Sequence, residues 1–251
     1  MLTSQRKQLI LERLRHNGQF IAKDFSAELG LSEDTIRRDL RELAAEGLLQ
    51  RVHGGALPAS PAIANFATRE NLGSQSKKSL GQKAAQMIQP RQVVFIDGGT
   101  TNTQLVRYLP RELEATIITH SPSIAVELVQ HPNIEVVLIG GKLFKHSIVC
   151  VGAVAIEAIG RIRADTYFMG VTAIHAQHGF TTGNLEEAYV KRALMQSAAE
   201  TIVLASNEKL GAVSPYQIAE LNAVSELLID SSIGKDLQLA LKNAGVKITL
   251  V

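Results

Sequence analysis

A single cysteine, Cys150, in a chain of 251 residues excludes any internal disulfide, the pattern of a reducing cytoplasm. No run approaches the ~20 apolar residues of a membrane span. The first residues, MLTSQRKQLILERLRHN, are charged throughout where a secretory leader carries an apolar core, so a cytoplasmic protein without a membrane partner is expected. Net charge is only +2, so binding to nucleic acid would have to rest on local placement of charge. A Walker loop, a dinucleotide glycine fingerprint and a nucleophile elbow are all missing. His175 and His178 have no second histidine pair or cysteine cluster to complete a metal set. Neither a metal nor a cofactor is expected. What remains is 45% hydrophobic, enough for a sizeable core in one large domain or in a small one plus a medium one.

The most informative stretch is 31–56, LSEDTIRRDLRELAAEGLLQRVHGGA. Ser32 is a hydroxyl N-cap, with Glu33 and Asp34 in the first turn and Thr35 behind them. Ile36, Leu40 and Leu43 recur at helical spacing and form one apolar face, leaving Arg37, Arg38 and Arg41 to face outward. Gly47 ends the helix as a left-handed cap. Residues 48–52 read as a short strand carrying Arg51, and His53-Gly54-Gly55 as the tip of a hairpin. Upstream, Ile21, Phe25 and Leu29 mark a short helix closed by Gly30, and 5–15 form a first helix with Ile10 and Leu14 inward. Helix, tight turn, arginine-bearing helix and hairpin is the order of a winged helix-turn-helix. Arginine suits such a helix because its planar fork reaches guanine edges or grips phosphates. The plainer alternative is a solvated charged face.

Pro58, Ser60 and Pro61 read as a linker, followed by a polar, basic stretch and a connector helix over 77–88. Seven short apolar runs then follow: 93–97, 115–119, 134–140, 165–170, 200–205, 226–230 and 246–251. Helical segments separate most of them. Strands apolar on both faces predict a mostly parallel α/β sheet covered on both sides.

Ligands of such sheets sit beyond the carboxyl ends of the strands. The first strand ends in Asp97-Gly98-Gly99-Thr100-Thr101 and runs into a helix, an arrangement of amides and hydroxyls suited to a phosphate. Asp97, itself negative, would accept from sugar hydroxyls or brace the loop. Thr119-His120-Ser121 and Gly140-Gly141-Lys142 close the next two strands, and Lys209 follows another strand end. Glu187 and Lys191 are four apart on a long helix, which fits a cleft pair or an ordinary surface pair.

The runs TIRRDL and RVHGGA resemble the DNA-binding signature of the DeoR family of bacterial transcription regulators. The resemblance implies that Ser32, Thr35, Arg37, Arg38 and Arg41 contact double-stranded operator DNA, with Arg51 and His53 in the wing. DGGTT, GFTTGNLEEAYVKRALM and the loop around Lys209 resemble the family's sensor domain, which is similar in fold to ribose-5-phosphate isomerase. This likeness implies a phosphorylated sugar as effector, held by Asp97, Gly99, Thr100, Thr101, Glu187, Lys191 and Lys209. It further implies a repressor of a carbohydrate-metabolism operon, acting as a homodimer or homotetramer and associated with the nucleoid when bound. The expected division is 1–57 winged helix-turn-helix, 58–80 linker and connector, and 81–251 sensor. Two departures stand out. Ser206 and Asn207 replace an aspartate common before the loop lysine, and His120 replaces an asparagine common after the second-strand threonine.

The rival function is a sugar-phosphate isomerase carrying an accessory DNA-binding head. Aldose–ketose isomerisation needs a carboxylate to move a proton between carbons. Isomerases of the similar fold have acids after the strand that corresponds to 167–170. This chain has none between Asp165 and Glu186, so no enzyme and no catalytic residue is expected. A DNA-binding scaffold whose second domain only oligomerises is a third possibility, and it predicts no response to small molecules.

Overall fold

The structure, a computed structural model, describes residues 2–251. The N-terminal head comprises α1 (Thr3–Asn17), β1 (Phe20–Ile21), α2 (Ala22–Leu29), α3 (Glu33–Ala45), β2 (Leu49–Val52) and β3 (Gly55–Pro58), with β3 antiparallel to both β1 and β2. Ile10, Leu14, Phe25, Ile36, Leu40 and Leu43 fill its core, as the helical spacing predicts. Ile21 does not join them. It is 49% exposed, and Phe20 is buried in its place, edge-on to Phe25 with ring centroids 5.0 Å apart. The two residues are extended rather than helical, and successive side chains on a strand point to opposite faces. Gly55 lies in β3, not at the hairpin tip, and its backbone passes so close to Phe20 that an added Cβ would sit 1.7 Å from the Phe20 carbonyl oxygen.

Asp39 has a use that composition hides. It is 1% exposed, and its carboxylate receives the Arg6 guanidinium in a two-point pair, Nη2 to Oδ1 at 3.0 Å and Nε to Oδ2. The pair ties α1 to α3 from inside. The acid next to Arg38 is therefore engaged inward, and the outer face of α3 keeps more of its positive charge.

The stretch expected as a linker is ordered against the second domain. The Val213 amide donates to the Pro58 carbonyl at 3.2 Å, Ala59 bridges Val213, and buried Ser60 donates its hydroxyl to the Thr172 carbonyl at 2.5 Å. Two helices follow, α4 (Phe66–Asn71) and α5 (Ser74–Ala85). Leu80, Ala84 and Ala85 of α5 are buried in the second domain's core.

The remainder runs β4 (Val93–Ile96), α6 (Thr100–Arg107), β5 (Ala115–Thr119), α7 (Pro122–Leu128), β6 (Ile134–Leu138), β7 (Lys142–Phe144), β8 (Val149–Val151), α8 (Ala153–Gly160), β9 (Ala164–Met169), β10 (Ala173–His175), β11 (Gly179–Thr182), α9 (Leu185–Gln196), β12 (Ala198–Ala205), β13 (Tyr216–Ala219), β14 (Glu226–Ile229), α10 (Lys235–Asn243) and β15 (Ile248–Leu250). All seven apolar runs form strands of one parallel sheet, in the order β15-β14-β12-β9-β4-β5-β6, with an apolar core on each face. From β4 the chain moves one way through β5 to β6, then returns to β9 on the other side of β4. That reversal places the crevice of an open α/β sheet between the ends of β4 and β9. Two small sheets frame it, the hairpin β7-β8 and the three-stranded β10-β11-β13.

Candidate DNA interface and effector cleft

On the head, Ser32 caps α3 by accepting from the Thr35 amide at 3.3 Å, and the two hydroxyls lie 3.0 Å apart. Ser32, Arg37, Arg38, Arg41, Arg51 and His53 are exposed and Thr35 is half-buried. Arg37 is engaged by Glu33 at 2.8 Å, one helical turn away. Among the described residues, Arg38, Arg41 and Arg51 make no ion pair and donate no side-chain hydrogen bond. These three guanidiniums are open to a polyanion.

The cleft is built on Asp97, which is fully buried with both carboxylate oxygens occupied. Oδ1 accepts from the Gly98 amide at 2.8 Å and faces His120 Nε2 at 2.7 Å. Oδ2 accepts from Tyr167 Oη and the Gly170 amide, each at 2.9 Å, and from Lys191 Nζ at 2.5 Å. Burial alone would raise this carboxyl; the charge of Lys191 and the hydrogen bond from His120 outweigh it and hold the group well below the usual carboxylate range. No lone pair is left for sugar hydroxyls, so of the two roles open to Asp97 it takes the bracing one. Around it, Gly99 has φ 109°, a conformation that L side chains rarely adopt, and a Cβ on Gly98 would meet Val149 at 2.4 Å. Thr100 and Thr101 then open α6, whose first amides have no partner within the helix. Asn102 anchors the turn by donating to the carbonyls of Asp97 at 3.0 Å and Phe168 at 3.2 Å. Its Oδ1 is buried without a partner.

Glu187 and Lys191 are not a surface pair. They are 7% and 4% exposed, and Lys191 turns to Asp97 rather than to Glu187. The long helix α9 lies against the sheet, so the face bearing both residues is its inner one. Lys209 is 7% exposed, with one long contact to Thr101 Oγ1 at 3.4 Å. Burial lowers its ammonium to about 7; Glu208 pulls upward, while Lys77, Arg69 and Lys191 push it further down. Gly140 and Gly141 do not line the cleft, and Lys142 is exposed on β7.

Three charged cleft residues escape sequence reasoning. Arg69 of α4 and Lys77 of α5 come from the stretch read as a polar connector, and Glu208 from the loop before Lys209. The Arg69 Nε and Nη2 atoms are buried without a partner, and burial lowers the guanidinium against the pull of Glu187 and Asp97. Lys77, 2% exposed, donates to the Arg69 carbonyl at 2.5 Å and lies 3.8 Å from Glu208. Its signal was present: Lys77, Leu80 and Ala84 share one helical face. Ser206 holds Glu208 by a 2.7 Å hydrogen bond, so an acid does stand at this edge, two residues beyond the departure. Asn207 turns away to Ser232. The cleft thus gathers four cations, Arg69, Lys77, Lys191 and Lys209, against three carboxylates, Asp97, Glu187 and Glu208. Excess positive charge, unpartnered donors and a helix N-terminus are the features of an anion site.

Residues 6–61 match the DeoR-like helix-turn-helix domain and residues 73–231 the DeoR C terminal sensor domain. The chain is 33% identical over 250 residues to the HTH-type transcriptional regulator GlpR of Haloferax volcanii, covering 99% of this chain and 98% of that protein. It is 29% identical over 251 residues to the Glycerol-3-phosphate regulon repressor of Haemophilus influenzae, covering 100% and 98%. Superposition on ribose 5-phosphate isomerase A of Methanocaldococcus jannaschii gives a TM-score of 0.41 at 16% identity, covering 55% of each chain. With both halves matched and a relative aligned over nearly its full length, this chain belongs to the DeoR family, as a transcription regulator and not as an isomerase.

Proposed function

We propose that the chain represses a carbohydrate-metabolism operon by binding its operator through α3 and the β2-β3 wing, and that a phosphorylated sugar in the cleft controls this binding. The observation that supports the ligand class is the set of buried cations around the N-terminus of α6, above all the unpartnered donors of Arg69. A phosphate dianion supplies what they lack. The name of the Haemophilus relative, a glycerol-3-phosphate regulon repressor, points to the same chemistry. One head gives modest affinity, so the working form is a dimer or tetramer in the cytosol, on the nucleoid when bound.

The route from cleft to head is short. Arg69 and Ala62 line the cleft, and Ser60 is pinned to Thr172, a cleft residue, only two positions after the wing strand ends. A phosphate drawing in Arg69 pulls on the segment that carries the head. Effector and operator then alter each other's affinity by the same factor.

Arg38→Ala tests the DNA half. Operator duplexes selected from a random-sequence pool are expected to bind the variant more weakly by about 1–3 kcal/mol, the value of one good base contact. Its thermal shift with sugar phosphates should equal that of the wild type. Unchanged operator affinity in fluorescence anisotropy would remove Arg38 from the interface.

A further inference from the structure

His120 closes β5 and is 1% exposed. Its Nε2 lies 2.7 Å from Asp97 Oδ1, and its Nδ1 lies 2.8 Å from the carbonyl oxygen of Cys150 on β8. Both partners only accept. Asp97 is ionised against Lys191, and a peptide carbonyl has no proton to give. A neutral imidazole has one N–H. Whichever nitrogen keeps it, the other turns a lone pair toward an oxygen at hydrogen-bond distance, in a place that water does not reach. Only the imidazolium donates in both directions.

We infer that His120 is a buried imidazolium that positions the phosphate cradle. Asp97 Oδ1 receives the ring on one side and the amide of Gly98, the first glycine of the cradle, on the other. The ring also joins that loop to the opposite wall. The Cys150 amide donates back to the His120 carbonyl at 2.7 Å, and Ser121 donates its hydroxyl to the Ile148 carbonyl at 3.0 Å. Ser147 and Val149 of this hairpin segment line the cleft. The titratable groups around the ring are Asp97 at the end of β4, Tyr167 on β9 and Lys191 on α9 through Asp97, and Cys150 on β8, which meets the ring through its carbonyl. An asparagine here supplies one amide donor and no charge. His120 therefore leaves the braced aspartate between two cations, and the cleft one charge more positive than an asparagine would. The cradle's role rests on the function proposed above; the charge state does not.

The test uses the full-length protein labelled with ¹⁵N-histidine, reading two-bond ring N–H correlations. One ring should show both nitrogens protonated at neutral pH. His120→Asn should remove that signal. If His120→Asn does not fold, replacing the other six of the seven histidines assigns it. A neutral-tautomer pattern for this ring at neutral pH overturns the inference. Positioning is read with inorganic phosphate. A folded His120→Asn protein should bind it about tenfold more weakly or worse, the scale of a lost hydrogen bond to a charged group. Equal phosphate affinity reduces the ring to packing and overturns the positioning role. If the wild type binds no phosphate or sugar phosphate at all, the cleft reading fails, and the ring spectrum still decides the charge.

Discussion

Lys209→Met is expected to stabilise the empty protein while removing most of its affinity for the effector. The two changes have one cause. Lys209 is buried with a single long contact, and its ammonium is lowered to about 7 from an ordinary lysine's 10.5. A lysine whose folded value lies below its unfolded value carries a full penalty at acid and neutral pH, where the folded state must hold a charge it disfavours. That penalty is relieved as pH rises from about 7 toward 10, because the unfolded state binds more protons over that window. Methionine keeps the apolar stem and has no charge to bury, so it should gain on the order of a few kcal/mol at neutral pH. Urea unfolding of both proteins across the window measures this. The gap between them should close with rising pH, and the wild type's phosphate affinity should fall over the same range. A Lys209→Met protein less stable than wild type at every pH would show that the ammonium is well paired in the empty cleft.

Asp97→Ala has the opposite consequence. Its removal leaves Lys191 and the His120 ring buried without their shared partner and frees the Gly98, Gly170 and Tyr167 donors as well. Breaking a buried charge set by deleting one member costs about 3–5 kcal/mol. For a chain of this size that is a Tm roughly 10 °C lower. The pH signature follows from the depressed Asp97 carboxyl. A group held below its unfolded value contributes fully above that value, about 3.9 for aspartate, and its contribution fades as pH falls toward the folded value. The difference between wild type and variant should therefore be constant near neutrality and shrink only in acid. A variant melting within about a degree of wild type would mean that the carboxylate is not the brace described here.

The seven sheet strands were legible because each is a largely apolar run, a pattern that depends on nothing outside the run itself, although the edge strands β6 and β15 are partly exposed. The head was legible for a similar reason: its caps, helical spacing and turn glycines are local. The strands β7, β8, β10, β11 and β13 were not, being three or four residues long with no period to detect. The site was legible as residue types and not as roles. Spacing places Glu187 and Lys191 on one helix face, but only tertiary packing decides that the face turns inward and that Lys191 meets an aspartate 94 residues away. Arg69 illustrates the same limit. Polar, basic surroundings suggest a solvated connector, and nothing local says that its guanidinium enters the cleft.

The most direct test of regulation by a phosphorylated sugar is operator affinity itself, measured by anisotropy on a selected duplex. It is titrated against a panel of sugar phosphates and against their unphosphorylated counterparts. A phosphorylated member should shift operator affinity by about 5–150-fold, the range of a 1–3 kcal/mol coupling, while its unphosphorylated counterpart leaves it unmoved. Operator affinity that stays constant across the phosphorylated panel, at concentrations where the same compounds raise the protein's melting temperature, would contradict the coupling of cleft to head.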